Sequence, residues 1–213
     1  MSPRRAAPDR RRAAVKAPVE RREELLAAAR RAFAERGIQG TTVSDVTEAA
    51  GVAKGTFYLY FDSKDALLGA VKQRFVDDLI AEVGRFIEPV AREDWWALAD
   101  ATVERVFDYV FANGDLIQVF AQEGMARDTR HVFAEADERL ESMFAFAIKA
   151  GMQAGAFHAE DPELFAAFLD HAFHGTLESG ILYGRDLDRD RVVAAAKSFI
   201  RKALAPSPAP PGA

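Results

Sequence analysis

Apolar side chains recur along most of this chain at intervals of three and four, the spacing that lines one face of an α-helix. Leu25, Leu26, Ala29, Phe33 and Ala34 set such a stripe over about 19–36, and Gly37 is placed to stop it. Thr42 and Asp45 have the spacing of a capping box, with Asp in place of the usual Glu or Gln, so a short helix starts there and ends at Gly51. A third, over 53–61, follows directly. Ser63 is a natural N-cap for a long fourth helix that carries Leu67, Leu68, Val71, Phe75, Leu79 and Val83 inward to about residue 87, before Pro89. Further helices are predicted at about 93–112, 115–124, 128–153, 161–183 and 188–204, with breaks at Asn113–Gly114, Gly124, Gly155 and Gly184. Period-two stretches and β-branched clusters are missing. The expected fold is all-α, with about nine helices.

Composition narrows the function classes. At 213 residues and 49% hydrophobic side chains, the chain can bury a substantial core. It has no cysteine, which excludes disulfides, thiolate metal sites and a cysteine nucleophile. No apolar run reaches the roughly 18–20 residues that cross a bilayer. The Arg- and Ala-rich start lacks the apolar core of a secretory signal, so a cytoplasmic location is expected.

Charge is unevenly spread. Residues 1–74 hold 15 Lys+Arg against 9 Asp+Glu, whereas 75–213 hold 13 against 24. A basic front on an acidic body points to a polyanion meeting the front alone. The segment 1–18 is expected to be a disordered basic arm, serving either as a solubilising tail or as an arm that follows DNA phosphates or a minor groove. Segment 205–213, with Pro206, Pro208, Pro210 and Pro211, reads as a disordered tail.

The second and third helices meet at Ala50-Gly51-Val52, a short turn containing glycine, which is the helix-turn-helix pattern. Phe57 and Phe61 lie four apart and face the core. That leaves Lys54, Thr56, Tyr58 and Tyr60 outward, side chains whose donors suit phosphates and base edges, while Gly55 lets the backbone approach closely.

The run Thr41-Thr42-Val43, then Ala49 through Phe61 with Gly55-Thr56-Phe57-Tyr58-Leu59-Tyr60-Phe61, then Ser63-Lys64 and Leu67, resembles the DNA-binding domain of the TetR/AcrR family of transcriptional repressors. The resemblance covers about 20–74. It implies that the third helix enters the major groove with Lys54 and Gly55 at base edges and with Thr56, Tyr58 and Tyr60 at phosphates or nearby bases. It also implies that Lys64 clamps a phosphate, that Thr42 meets the backbone, and that Ser44 meets the backbone or a base. One departure is Ala53, where many members carry a capping serine. The implied organisation is a DNA-binding domain over 19–74 and an effector-binding and dimerisation domain over 75–204. The implied function is a ligand-responsive repressor that binds a palindromic operator as a homodimer.

The body holds 13 of the 16 phenylalanines. Candidate pocket walls are Phe107, Phe111, Phe120, Phe133, Met143, Phe144 and Met152, with Gln118, Gln122, Glu123, His171 and His174 as orienting polar groups. The effector is expected to be small and largely apolar or aromatic. Helices 161–183 and 188–204 look too apolar to be covered within one chain, so Phe168, Gly175, Ile181, Val192, Ala196 and Phe199 are expected in a dimer interface, and Gly180 and Gly184 are also expected to allow close approach by a partner. His171 and His174 are spaced as metal ligands can be, but hydrogen-bonded histidines are commoner on an apolar helix, and no metal or cofactor is expected. No P-loop, dinucleotide fingerprint or nucleophile elbow is present, so an enzyme is not expected. An all-α enzyme with a vestigial front, or a nonspecific architectural DNA binder, are the alternatives.

Overall fold

The protein was analysed as a computed structural model that describes residues 17–87, 94–126, 130–185 and 187–206. Among the described residues there are nine α-helices and no strand: α1 Pro18–Arg36, α2 Val43–Ala49, α3 Lys54–Phe57, α4 Lys64–Ile87, α5 Trp95–Ala112, α6 Gly114–Ala126, α7 Arg130–Gln153, α8 Pro162–Leu182 and α9 Arg189–Leu204. The basic arm up to residue 16 and the tail from 207 lie outside the described residues.

Local chemistry sets most boundaries. The Asp45 backbone N–H donates to Thr42 Oγ1 while the Asp45 carboxylate accepts from the Thr42 N–H, which completes the capping box. Asp161 and Asp188 cap α8 and α9 with bonds of 2.9 and 2.8 Å, and Ser63 caps α4 at 3.0 Å. Gly37 and Gly51 both take φ of +66°, a conformation that side-chain-bearing residues adopt at a cost.

Two expectations fail. The third helix is one turn, not nine residues: beyond Phe57 the chain continues as tight turns, with Leu59 and Tyr60 N–H bonded three residues back to Thr56 and Phe57. Its Ala53 cap offers no side-chain acceptor. Gly124 breaks nothing, because α6 runs through it to Ala126; a lone glycine costs a helix only about 1 kcal/mol.

One core runs through the molecule. Phe33, Val46, Phe57, Phe61, Leu67 and Leu68 bury the front around α1 to α4, and the same set continues through Phe75 and Leu79 to Phe107, Phe120 and Leu140 in the body. α4 therefore crosses the expected 74/75 boundary without interruption. It meets α7 closely at Gly69, where a Cβ would lie 2.7 Å from the Val132 carbonyl oxygen, so only glycine permits this crossing.

Candidate DNA-binding face and effector cavity

The helix-turn-helix forms because its inward positions are apolar and its turn is glycine. Phe57 and Phe61 are both buried, with ring centroids 5.7 Å apart. That anchors the reading turn and leaves the other side of it outward. Ser44, Lys54 and Gly55 are exposed, Thr56 and Tyr60 are half-buried, and Tyr58 is 53% exposed. Tyr60 packs partly against the core, so its hydroxyl end is the portion available. Leu59, which sequence reasoning passed over, is the most exposed large apolar side chain among the described residues at 79%. Its position between two outward tyrosines was the available signal.

Two predicted contacts have other work in the free protein. The Thr42 hydroxyl donates to Asp45 Oδ2 at 2.7 Å, and this bond, with that from the Thr42 N–H, holds the Asp45 carboxyl below its ordinary pKa. Lys64 Nζ donates to the Ile38 and Thr41 carbonyl oxygens at 2.6 and 3.0 Å. A cation in the first turn of a helix opposes the helix dipole, and these carbonyls compensate for it. Two of its three donors are thus engaged in fixing the start of α4 to the loop before α2.

In the body, α4, α5, α6, α7 and α8 enclose a cavity of about 750 Å³. Phe107, Phe120, Phe133 and Phe144 line it, as do His171 and His174, all six predicted. Phe111, Gln118, Gln122 and Glu123 do not. The reason is helical phase: Leu116, Val119 and Phe120 face inward on α6, which turns Gln118 and Gln122 to solvent. Phe111 packs against the core from outside the cavity. Glu123 is buried, but it faces the front domain and accepts from Gln39 Nε2 at 3.1 Å.

The cavity also has polar lining that sequence reasoning missed. Buried Lys72 pairs with Asp137 at 2.6 Å and lies 4.3 Å from the Phe133 ring centroid. Buried Asp170 meets His174 Nδ1 at 3.1 Å. Burial works against the charged imidazole, but the Asp170 bond and charge outweigh it, so His174 titrates above its ordinary value. A lysine within the apolar stripe Leu68, Val71, Phe75, Val76 and Leu79 was the clue. Glu141, Asp170 and His171 bring potential ligand atoms within 4.8 Å of one another, and His174 stands outside that group.

A second compartment of about 430 Å³ lies beside the first, bounded by α4, α5, α7, α8 and α9 and apolar in nearly all its lining. Val106, Phe107, Phe144 and Phe173 belong to both walls.

Among the predicted interface residues, Phe168 is 62% and Phe199 49% exposed, Gly175 is exposed, and Val192 is half-buried. Ala196 is buried within the chain, and the side chain of Ile181 lies outside the described residues. Gly180 does not await a partner, since Leu187 of the same chain packs where its Cβ would be, and Gly184 ends α8 with φ of +59°.

Comparison with known proteins gives the family. Residues 25–71 match the model for bacterial regulatory proteins of the tetR family, and residues 117–205 match that for the C-terminal domain of BetI-type transcriptional repressors. The HTH-type transcriptional repressor KstR2 of Rhodococcus jostii is 32% identical over 70% of this chain and 74% of its own length. This chain belongs to the TetR family. Another relative of this TetR-family regulator, the repressor DhaR of Mycobacterium sp. strain GP1, is 30% identical over 73% of this chain and 80% of its own. FadR of Bacillus subtilis, solved in complex with stearoyl-CoA, superimposes with a TM-score of 0.68 at 19% identity, over 84% of this chain and 96% of that one, and shares the fold. TetR-family proteins regulate transcription by binding DNA operators and small-molecule effectors, typically as dimers. No helix among the described residues of this member is long and apolar enough to cross a membrane.

Proposed function

We propose that this TetR-family regulator is a homodimeric repressor that holds a palindromic operator and releases it when a small, largely apolar effector enters the body. The observation that carries this reading is the continuity of α4: its first residue, Lys64, is fixed against the helix-turn-helix, while Phe75, Val76 and Leu79 line the larger cavity. Each subunit lays the reading turn in a major groove, with Lys54 and Gly55 at base edges and Thr56, Tyr58 and Tyr60 at phosphates or nearby bases. Ser44 approaches from α2. Thr42 contributes through the backbone it caps, and Lys64 through its remaining donor. Leu59 adds an apolar contact suited to a thymine methyl group. KstR2 and DhaR are named repressors, which supports that sign of regulation.

The dimer rests on α8 and α9. Leu164 and Phe168 on α8 and Phe199 on α9 remain exposed, and a groove of about 630 Å³ between the two helices is lined by Ala172, Thr176, Val192 and Ala195. Apolar surface of this extent favours a covering partner, and a second copy supplies a self-complementary one.

Selection of bound sequences from a random duplex library, at two salt concentrations, tests the proposal. The expected result is an inverted repeat that persists at the higher salt. Binding without a motif, lost as salt rises, would overturn it.

A further inference from the structure

The two compartments of the body differ sharply in character, and their shared wall places them end to end. The smaller is bounded by Val83, Val103, Ile148 and Leu204 and their apolar neighbours, and its polar side-chain groups are the Thr102 hydroxyl, already bonded to the Leu98 carbonyl oxygen, and the Trp95 indole N–H. The larger has five carboxylates in its lining, Asp137, Glu138, Glu141, Asp170 and Glu178, against a single lysine. That lysine is neutralised by Asp137, and the buried carboxylate of Asp170 is engaged by His174. Of the three glutamates, Glu141 stands 3.9 Å from His171 Nδ1, Glu138 is exposed and Glu178 is half-buried, and no arginine lines the cavity among the described residues. Around them stand the faces and edges of Phe75, Phe107, Phe120, Phe133, Phe144 and Phe173.

Such a chamber opposes an anionic head group by its charge and favours a cation twice over, through carboxylates and through aromatic rings. Building on the effector reading above, we infer that the ligand of this regulator is an amphipathic organic cation, an amine or quaternary ammonium bearing an apolar tail. Its head occupies the chamber beside Glu141 and Asp170, and its tail passes the Phe107–Phe173 wall into the smaller compartment. Those two rings meet edge to face at 5.3 Å, an arrangement that rotamer changes can open without moving a helix.

The test uses the full-length protein and three probes of one chain length, decyltrimethylammonium, decanol and decanoate, each below its micelle-forming concentration. Calorimetry, together with the fluorescence of Trp95 of the smaller compartment read in a Trp96→Phe background, reports binding. The ammonium is expected to bind about tenfold or more tighter than decanoate, a difference of ~1.4 kcal/mol. Affinity should also rise stepwise from tetramethylammonium to the decyl compound as methylenes enter the apolar compartment. Glu141→Gln and Asp170→Asn should each weaken the ammonium and leave decanol unchanged. Because Asp170 is buried, the half-buried Glu141 variant decides the matter if the Asp170 variant fails to fold. Equal or tighter binding of decanoate, an ammonium affinity indifferent to Glu141→Gln, or no binding by any probe would overturn the inference. Release of a selected operator is scored separately: release by decanoate keeps the effector reading and removes the cation, whereas ammonium binding without release does the reverse.

Discussion

At Gly55 the proposed DNA contact can be separated from any folding contact. A Cβ built there meets nothing within 4 Å, and the residue sits in the single turn of α3. Gly55→Ala is therefore expected to stabilise the free protein, by about 0.4–1 kcal/mol through lost unfolded-state entropy, while weakening operator binding because the methyl group would stand where the proposed complex brings backbone against DNA. Thermal unfolding and fluorescence anisotropy on the selected operator check the two halves. His174 gives a second prediction, in pH. It faces Asp170 on its own helix, Lys72 from α4, and Asp137 from α7, and Glu141 of α7 and Glu178 of α8 also line the cavity. Its folded pKa is raised, so the stability it contributes is full below the unfolded value near 6.5 and is lost as pH climbs through the folded value. His174→Gln should accordingly cost most stability in mildly acidic buffer and progressively less above neutrality, measured as the difference in Tm across a pH series. A constant difference would contradict the pairing with Asp170.

At the scale of elements, α4 is joined by further contacts between the DNA-binding front and the body. α6 lines the larger cavity through Ile117, Phe120 and Ala121, and its Glu123 accepts from Gln39 in the loop after α1. Arg30 of α1 also reaches the Asn113 side chain at the end of α5. Gln39→Ala is expected to leave operator affinity within about threefold, as surface-level substitutions do, yet to raise the effector concentration needed for release. A titration of release against effector, run beside the unliganded affinity, separates these effects. The Gln39–Glu123 link was invisible in the sequence because the partners stand 84 residues apart. The helices themselves were legible: their periodicity is strong, and Thr42, Ser63 and Asp161 are caps that act within three residues. The length of α3 was not, because its buried Phe57 and Phe61 satisfy helical spacing whether the chain between them is helix or turn. Half of the cavity was legible for a similar reason. Phenylalanines mark an inward face wherever it lies, whereas Gln118 and Gln122 could be placed only by counting phase from Leu116 and Phe120.

For the whole molecule, the consequential surface is the exposed face of α8 and α9. Phe168→Glu with Phe199→Glu puts charge into both halves of the proposed interface at positions already open to solvent, so the subunit should still fold. The expected outcome is a monomer by analytical ultracentrifugation, with unchanged helical content by circular dichroism. Operator affinity should fall by orders of magnitude, because one subunit alone reads only half a site. A dimer that survives both substitutions would place the interface elsewhere.

The close crossing of α4 over α7 at Gly69 gives the long helix a mechanical character. With no side chain on α4 at this point and Val132 of α7 filling the space, the crossing would be the fulcrum of any tilt of α4, and it stands five residues from the start of a 24-residue helix. At 1.5 Å per residue the short arm, toward the DNA, is about 8 Å and the long arm about 27 Å. A displacement of the far end in such a tilt would be geared down about threefold at the reading turn, though the angle swept would be the same. The ligand end can thus make a coarse stroke while the DNA end makes a fine one. Enlarging Gly69 would shift the pivot itself, so its effect should appear in every liganded state at once.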